Sequence, residues 1–484
     1  MTSLTTNILF LFSDEHARDA LGCYGNSFVR TPHLDQLASC GVCFGNAYTN
    51  SPICVPARAS LATGRYVHEI GTWDSAHPYE GRPKGWAHRL TEAGHNVTSI
   101  GKLHYRDTNS PNGFSQEILP MHVYQGIGWT RGLLRKKPPV YTSCKPFAED
   151  VGPGESTYTE YDRNVTEAAC HWLRNDAPKH REKPWLLFVS FVSPHYPLLA
   201  PRQYYDLYPL DDVPWPREYA LDQRPTHPVT RAMAKSLNYD DYFDEERVRI
   251  ARAGYYGLCS FLDDNIGKVL ATLDACGLMK QTRIIYSSDH GECLGNRGLW
   301  AKSFMYEDSV GVPLLMAGPG VPKGKTVSTP VSLVDCSQTI TDCVGIELTT
   351  DEWDLPGDSL LSIADGGSDR VVFSEYHDGG SITGIFMIRT QNWKYVHYVG
   401  YPPQLFDLDN DPYETTDLGE SSAYADIRSS CEAKLREIVD PETVNAQAFR
   451  DQQAMIEKLG GEAAVLASED FGHTPLAKAG VGMS

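Results

Sequence analysis

Five short apolar runs constrain the fold most: NILFLF (7–12), NVTSI (96–100), WLLFVSFV (185–192), TRIIYSS (282–288) and VPLLMAG (312–318). They are largely continuous, without the strict polar alternation of a strand wetted on one face. Such runs suit parallel strands buried on both faces of a sheet. Helical periodicity fills the intervals, near 32–41, 56–63, 86–93, 160–175, 246–276 and 335–345. This alternation predicts an α/β fold: a large doubly wound, mixed but mostly parallel sheet flanked by helices.

From about residue 366 the pattern changes. RVVFSEY (370–376), GIFMIRT (384–390) and WKYVHYV (393–399) succeed one another across turn-like joints, which predicts a small antiparallel sheet. Polar helices are expected near 422–437 and 444–467. The Gly/Ser/Asp-rich ADGGSD (364–369) is the expected boundary between a large domain over 1–365 and a smaller α+β domain over 366–484. A length of 484 residues is sufficient for both. The Pro- and Tyr-rich stretch 196–230 reads as a long loop.

A formal net charge of -19 argues against a nucleic-acid partner, which needs a basic face. It leaves room for a small anionic substrate in a local cationic pocket. The apolar run Ile8–Phe12 is too short to span a membrane and lacks the flanks of a signal peptide. No later run is long enough either, so the expectation is a cytoplasmic protein without a membrane anchor. Twelve cysteines without paired spacing read as thiols in a reducing compartment. Cys40 and Cys43 have CxxC spacing, but no second pair or nearby histidine completes a zinc site, and they read as buried thiols.

In open α/β sheets, ligands bind beyond the carboxyl ends of the strands. The residues just past four of the expected strands are Ser13–Asp14–Glu15–His16, Gly101–Lys102–Leu103–His104, Ser193–Pro194–His195 and Ser288–Asp289–His290–Gly291. Asp14–Glu15 and Asp289–His290 are reasonable ligands for a divalent cation. Lys102 and Lys302 suit anion binding as point charges, and His104 and His195 suit proton transfer. Taken singly, each reads better as a cap, a loop histidine or a solvated charge. Four strand ends together are hard to explain as surface decoration.

SPICVPARASLATGR (51–65) adds a cysteine entering a helix, with Pro56 suited to the first turn. At the positive end of that helix Cys54 would have a lowered thiol pKa and an affinity for anions. Arg58, one turn on, is placed to hold Cys54 and an anionic group together. The residues point to an oxyanion-handling nucleophile beside a metal, and leave thiolate and modified cysteine both open.

Cys54–Val55–Pro56–Ala57–Arg58, continued by ASLATGR, resembles the sulfatase signature Cys-x-Pro-x-Arg. GHNVTSIGKLH (94–104) resembles the second signature, with His95 where an aromatic is commoner. SDHGECLGNRGLWAK (288–302) and QLFDLDNDPYETTDL (404–418) resemble the family's metal-and-lysine and C-terminal segments. The resemblance spans nearly the whole chain and makes 1–365 an alkaline-phosphatase-like catalytic domain. It implies that Cys54 is oxidised to formylglycine by a formylglycine-generating enzyme. It also implies Asp14, Asp289 and His290 as metal ligands, with Glu15 beside them where many members carry a second aspartate. Arg58, Lys102 and Lys302 would bind sulfate and the aldehyde hydrate, and His104 and His195 would transfer protons.

The Asp–His pair resembles the choline-sulfatase and phosphonate-monoester-hydrolase branch, and an imidazole ligand makes manganese as plausible as calcium. Retention of Lys102 and His104 favours sulfate esters. The implied activity is hydrolysis of aryl or alkyl sulfates, choline sulfate among them, to alcohol and inorganic sulfate. The alternatives are a phosphonate or phosphate ester hydrolase on the same scaffold, and a non-catalytic anion-binding protein with unmodified Cys54. Ser75 stands where that branch often carries an asparagine. Trp73, Tyr105, Trp129, Tyr376 and His377 are candidates for a pocket wall, and an aromatic cage would suit a quaternary ammonium. The tail HTPLAKAGVGMS (473–484) either lies on a neighbour in a homo-oligomer or frays.

Overall fold

The computed structural model describes residues 5–347, 354–366 and 369–476. Its main sheet contains Asn7–Asp14 (β1), Gly41–Phe44 (β2), Val97–Lys102 (β4), Gln116–Met121 (β5), Leu186–Pro194 (β7), Thr282–Ser288 (β9), Leu314–Ala317 (β10) and Lys325–Val327 (β11). Two small sheets pair Ala47–Tyr48 (β3) with Val331–Ser332 (β12), and Val151–Pro153 (β6) with Leu198–Ala200 (β8). The main order is β11-β2-β10-β9-β1-β7-β4-β5. Every pairing is parallel except those of β10, which runs against both neighbours.

The apolar runs become central strands because helices cover both faces. Phe10, Phe12, Phe188 and Ile285 pack towards Trp86, Leu90 and Ile340, from the helices Trp86–Glu92 and Val334–Val344. The alternate residues Leu9, Leu11, Leu187 and Val189 pack on Leu34, Trp172, Leu262 and Ile266, from Pro32–Ser39, Thr157–Asn175 and Glu245–Ala275. Asp244 caps the last of these by accepting from the Arg247 N–H, as an N-cap acid should.

The smaller sheet is an antiparallel meander of Val372–Tyr376 (β13), Ile385–Arg389 (β14), Trp393–Tyr398 (β15) and Gln404–Asp407 (β16). Phe386, Ile388 and Tyr395 bury one face against Cys431 and Leu435 of the helix Ala425–Ile438. Met387, Val396 and Phe406 bury the other against Phe304 and Tyr306 of the large domain. Glu307 ties the two parts together, contacting Arg18 beyond β1 and Lys394 of β15, the latter at 3.1 Å.

Several expectations need correction. VPLLMAG is antiparallel, because a buried apolar run carries no direction. GVCF, with its CxxC cysteine, is a strand, in which Cys43 is buried while Cys40 is exposed just before it. The helix expected over 444–467 is two helices, Pro441–Lys458 and Glu462–Ala467, broken where Gly460 and Gly461 adopt φ of 98° and 94°. The stretch 196–230 holds β8 and a short helix, Arg202–Tyr205. Two residues of the expected domain boundary, 367 and 368, lie outside the described residues. Among the described residues no helix is long and apolar enough to cross a membrane.

Candidate active site

Four strands that stand side by side, β9, β1, β7 and β4, point their carboxyl ends the same way. Asp289 and His290, Asp14 and Glu15, His195, and Lys102 and His104 therefore arrive at one sheet edge from four separate parts of the chain. β4 can lie this close to β7 because residue 101 is glycine: a Cβ there would stand 2.1 Å from the Ser190 carbonyl oxygen. The helix Cys54–Thr63 brings its first residue to the same edge.

Cys54 Sγ lies 3.1 Å from His290 Nε2 and 3.5 Å from Asp14 Oδ1. Nε2 of His290 is in turn 3.9 Å from Asp14 Oδ1 and 3.6 Å from Asp289 Oδ1. All four side chains are buried, and their donor atoms lie within 4.8 Å of one another. His290 Nδ1 donates to the Gly291 carbonyl at 3.0 Å, which leaves Nε2 to face the carboxylates. Two carboxylates and an imidazole nitrogen at this spacing fit a shared divalent ion.

Arg58 organises the cluster from behind. Its Nε donates to Asp289 at 2.7 Å, Nη2 to Asp14 at 3.0 Å, and Nη1 to the Lys102 carbonyl at 2.8 Å and Ser190 Oγ at 3.0 Å. Lys102 Nζ stands 2.5 Å from Asp14 Oδ2. Burial alone would raise the Asp14 pKa, but Lys102 and then Arg58 hold it well below the usual range. The Cys54 thiol is pushed up, by burial first and Asp14 second. The lowering expected from the helix N-terminus is not met, because desolvation and carboxylates outweigh the partial charge of the helix end.

Glu15 falls outside this four-residue cluster. It adopts φ 65°, and its Oε2 accepts from Lys302 Nζ at 2.9 Å. Burial pushes its pKa up to about 8, with Lys302 opposing and Glu292 adding to the shift. Lys302 also donates to His195 Nε2 at 2.7 Å, while His195 Nδ1 donates to the Tyr196 carbonyl at 2.7 Å. That pair of bonds defines a neutral imidazole, consistent with a pKa held well below its usual value by burial and then Lys302. His104, also at left-handed φ (59°), meets Thr474 Oγ1 through Nε2 at 2.7 Å. With Ala301 and Ser303 (φ 57° and 90°), these residues concentrate backbone strain at the sheet edge. His16 is a brace instead, bonded to Tyr286 and the Ala20 carbonyl.

Above the cluster lies a cavity of about 140 Å³. Cys54, Lys102, His104, His195 and Lys302 form its polar part, and Trp129, Tyr141, Phe147, Tyr196, Tyr239 and Phe471 its aromatic wall. Among the described residues, no carboxylate lines it. Of the aromatic candidates from sequence, only Trp129 is there. Trp73 is turned to Asp451, Tyr105 stacks edge-on to Tyr79, Tyr376 donates to the Gly379 carbonyl, and His377 pairs with Glu375. Ser75 reaches the cavity, held by Asp378 at 2.6 Å. Tyr196 stands next to a candidate histidine and was findable. Tyr141, Phe147, Tyr239, Phe471 and Gly472 carry no local signal; His473 and Thr474, expected on a neighbour or in a frayed tail, line this chain's own cavity, and 477–484 of that tail lie outside the described residues.

The Sulfatase family model matches residues 6–346, and a model of the C-terminal part of N-sulphoglucosamine sulphohydrolase matches residues 295–440. Choline-sulfatase of Rhizobium meliloti (strain 1021) is 32% identical over 463 residues, spanning 94% of this chain and 87% of that protein. Arylsulfatase K of Danio rerio is 30% identical over 470 residues, spanning 92% and 86%. Among solved structures, the phosphonate monoester hydrolase of Agrobacterium radiobacter superposes with a TM-score of 0.70 at 25% identity, covering 92% of this chain and 96% of that one. With the family model covering well over half its length, the chain belongs to the sulfatase family and is a sulfatase.

Proposed function

We propose that this sulfatase hydrolyses sulfate monoesters of compact aromatic or alkyl alcohols, releasing the alcohol and inorganic sulfate. One observation carries the reading: Cys54 shares a buried donor cluster with Asp14, Asp289 and His290, directly beneath a small aromatic-walled cavity. Asp14, Asp289 and His290 would hold a calcium or manganese ion, and Cys54 would be the residue oxidised to formylglycine. Bound and formed, these groups would supply charge neutralisation at the sulfate oxygens and a hydroxyl nucleophile from the hydrated aldehyde.

The chain's own side chains do the rest. A sulfate monoester is a monoanion, and Lys102 and Lys302 set positive charge on two sides of the position where it must sit. Arg58, fully engaged with Asp14 and Asp289, fixes those carboxylates in place. The Lys302–His195 pair delivers a proton to the leaving oxygen, and Glu15 holds Lys302 for that task. His104 Nδ1, buried without a partner among the described residues, is the base for the step that expels sulfate. The cavity volume is close to the ~150 Å³ that admits a benzene ring, which favours aryl and short alkyl groups.

Twelve uncrosslinked thiols support a reducing compartment, and we place the enzyme in the cytoplasm, matured there by a formylglycine-generating partner. The test is peptide mass spectrometry of active protein together with turnover of 4-nitrophenyl sulfate. An aldehyde at position 54 is expected; full activity with an intact thiol refutes the assignment.

A phosphonate monoester is a second reading, favoured by the similarity to the Agrobacterium enzyme. It too is a tetrahedral monoanion, so the same cations would bind it. Retained Lys102 and His104 weigh towards sulfate, and the ratio of turnover on aryl sulfate and aryl phosphonate monoesters decides.

A further inference from the structure

The chain's C-terminal segment runs back across the catalytic cavity. Asp470 Oδ2 accepts from the Thr142 and Ser143 N–H groups at 2.6 and 3.1 Å, and its Oδ1 accepts from Trp129 Nε1 at 3.0 Å. Arg131 grips the Ser468 carbonyl through Nε and Nη2 at 2.9 and 2.6 Å. Gly472 passes so close to Tyr196 that a Cβ would stand 1.5 Å from its hydroxyl. Beyond it His473 meets Tyr158 and Tyr196 edge-on, and Tyr158 OH donates to the Thr474 carbonyl at 2.9 Å. Two clamps, at Asp470 and at Tyr158, thus set the position of Thr474, whose Oγ1 lies 2.7 Å from His104 Nε2.

We propose that Thr474 is a positioning residue for His104: its hydroxyl accepts from Nε2–H and so keeps the Nδ1 lone pair available at the buried face of the ring. An imidazole fixes its tautomer through whichever nitrogen is hydrogen-bonded. Among the described residues, the His104 ring has one hydrogen-bond partner, Thr474, and its Nδ1 is buried with none. Without the hydroxyl, the ring is free to rotate and to place its proton on either nitrogen, and the base is present only part of the time. The inference rests on the reading of His104 as the base, and it makes a residue 370 positions away part of the same active site.

The experiment compares Thr474→Val and Thr474→Ser in the full-length, metal-loaded, matured enzyme. Valine keeps the shape and removes the oxygen; serine restores it. On 4-nitrophenyl sulfate, Thr474→Val should lower kcat about 10–100-fold with KM within about twofold, and Thr474→Ser should recover most of the loss. In ¹⁵N-histidine NMR, the His104 signals, identified by their loss in His104→Gln, should show one tautomer protonated at Nε2 in wild type and Thr474→Ser, and a mixture in Thr474→Val. Wild-type kcat in Thr474→Val overturns the proposal when His104→Gln is impaired. So does an unmoved tautomer, or a loss that serine does not restore, either of which would mean packing alone. If His104→Gln itself turns over at the wild-type rate, the base reading fails and the proposal falls with it.

Discussion

The ammonium of Lys302 donates to Nε2 of His195 across 2.7 Å. Because His195 Nδ1 already donates to the Tyr196 carbonyl, the pair holds its mobile proton on the lysine side. Burial and the neighbouring cation keep the imidazole neutral, whereas Cys54, Glu15 and Asp14 raise the Lys302 pKa against the pull of its own burial. In the proposed reaction the acid for the leaving group would therefore be a two-residue unit.

Loss of that unit should be felt in proportion to the need for protonation. With 4-nitrophenyl sulfate, whose leaving group departs readily as an anion, His195→Ala should lower kcat modestly. With an alkyl sulfate the loss should reach about 10³-fold, the middle of the range for general acids. Equal losses on both substrates, measured as kcat ratios, would remove proton delivery from the role of His195.

At position 54 a serine would present one hydroxyl where the proposed hydrated formylglycine would present two. Cys54→Ser should release about one equivalent of alcohol per enzyme molecule and then stop, with the introduced serine oxygen carrying the sulfuryl group. Quench-flow and intact mass measure both quantities, and sustained multiple turnover by this variant would contradict the need for the second hydroxyl.

Removal of the proposed divalent ion should abolish turnover without unfolding the chain. Arg58 and Lys102 already compensate Asp14 and Asp289 inside the site, so the fold does not depend on the ion for neutrality. After chelation, far-UV circular dichroism should be unchanged, and Tm should fall by roughly 5 °C through loss of the linked binding energy. Adding back calcium or manganese should restore rate and Tm together; full activity in stripped protein would exclude the ion from the reaction.

Acid should weaken the joint between the two sheets. Burial opposes ionisation of Glu307, but Lys394 and then Arg18 pull its pKa from 4.5 down to about 2. A carboxylate with a depressed folded pKa contributes stability above its unfolded value and loses it as pH falls towards the folded one. Wild type should therefore exceed Glu307→Gln by on the order of 3 kcal/mol at pH 7. In denaturant titrations, the gap should narrow steadily as pH drops below about 4.5. A gap independent of pH would show that Glu307 acts through shape rather than charge.

Much of this was legible in order along the chain. The runs at 7–12, 96–100, 185–192 and 282–288 are strands because apolar continuity reports burial on two faces, and each has its chemical groups within three residues of its end. The direction of β10 was not legible, nor was the strand role of GVCF, since periodicity encodes neither orientation nor partners. Glu15 illustrates the same gap: adjacency to Asp14 suggested a shared ion, and the structure groups it with Asp14 and His195 while its carboxylate also accepts from Lys302, a pairing that adjacency does not report.

Local pattern along the chain settles the inventory: which strands form, which chemical groups stand at their ends, and which cysteine stands at a helix entrance. Tertiary structure alone decided the wall of the cavity. An aromatic side chain in a core and one facing a substrate are the same local pattern, so Tyr141, Phe147 and Tyr239 could be told apart from Trp73 and Tyr376 only once the chain had closed around them. The hydrogen bond between His104 and Thr474 likewise depends on two backbone paths meeting, and local pattern carries no record of where distant segments meet.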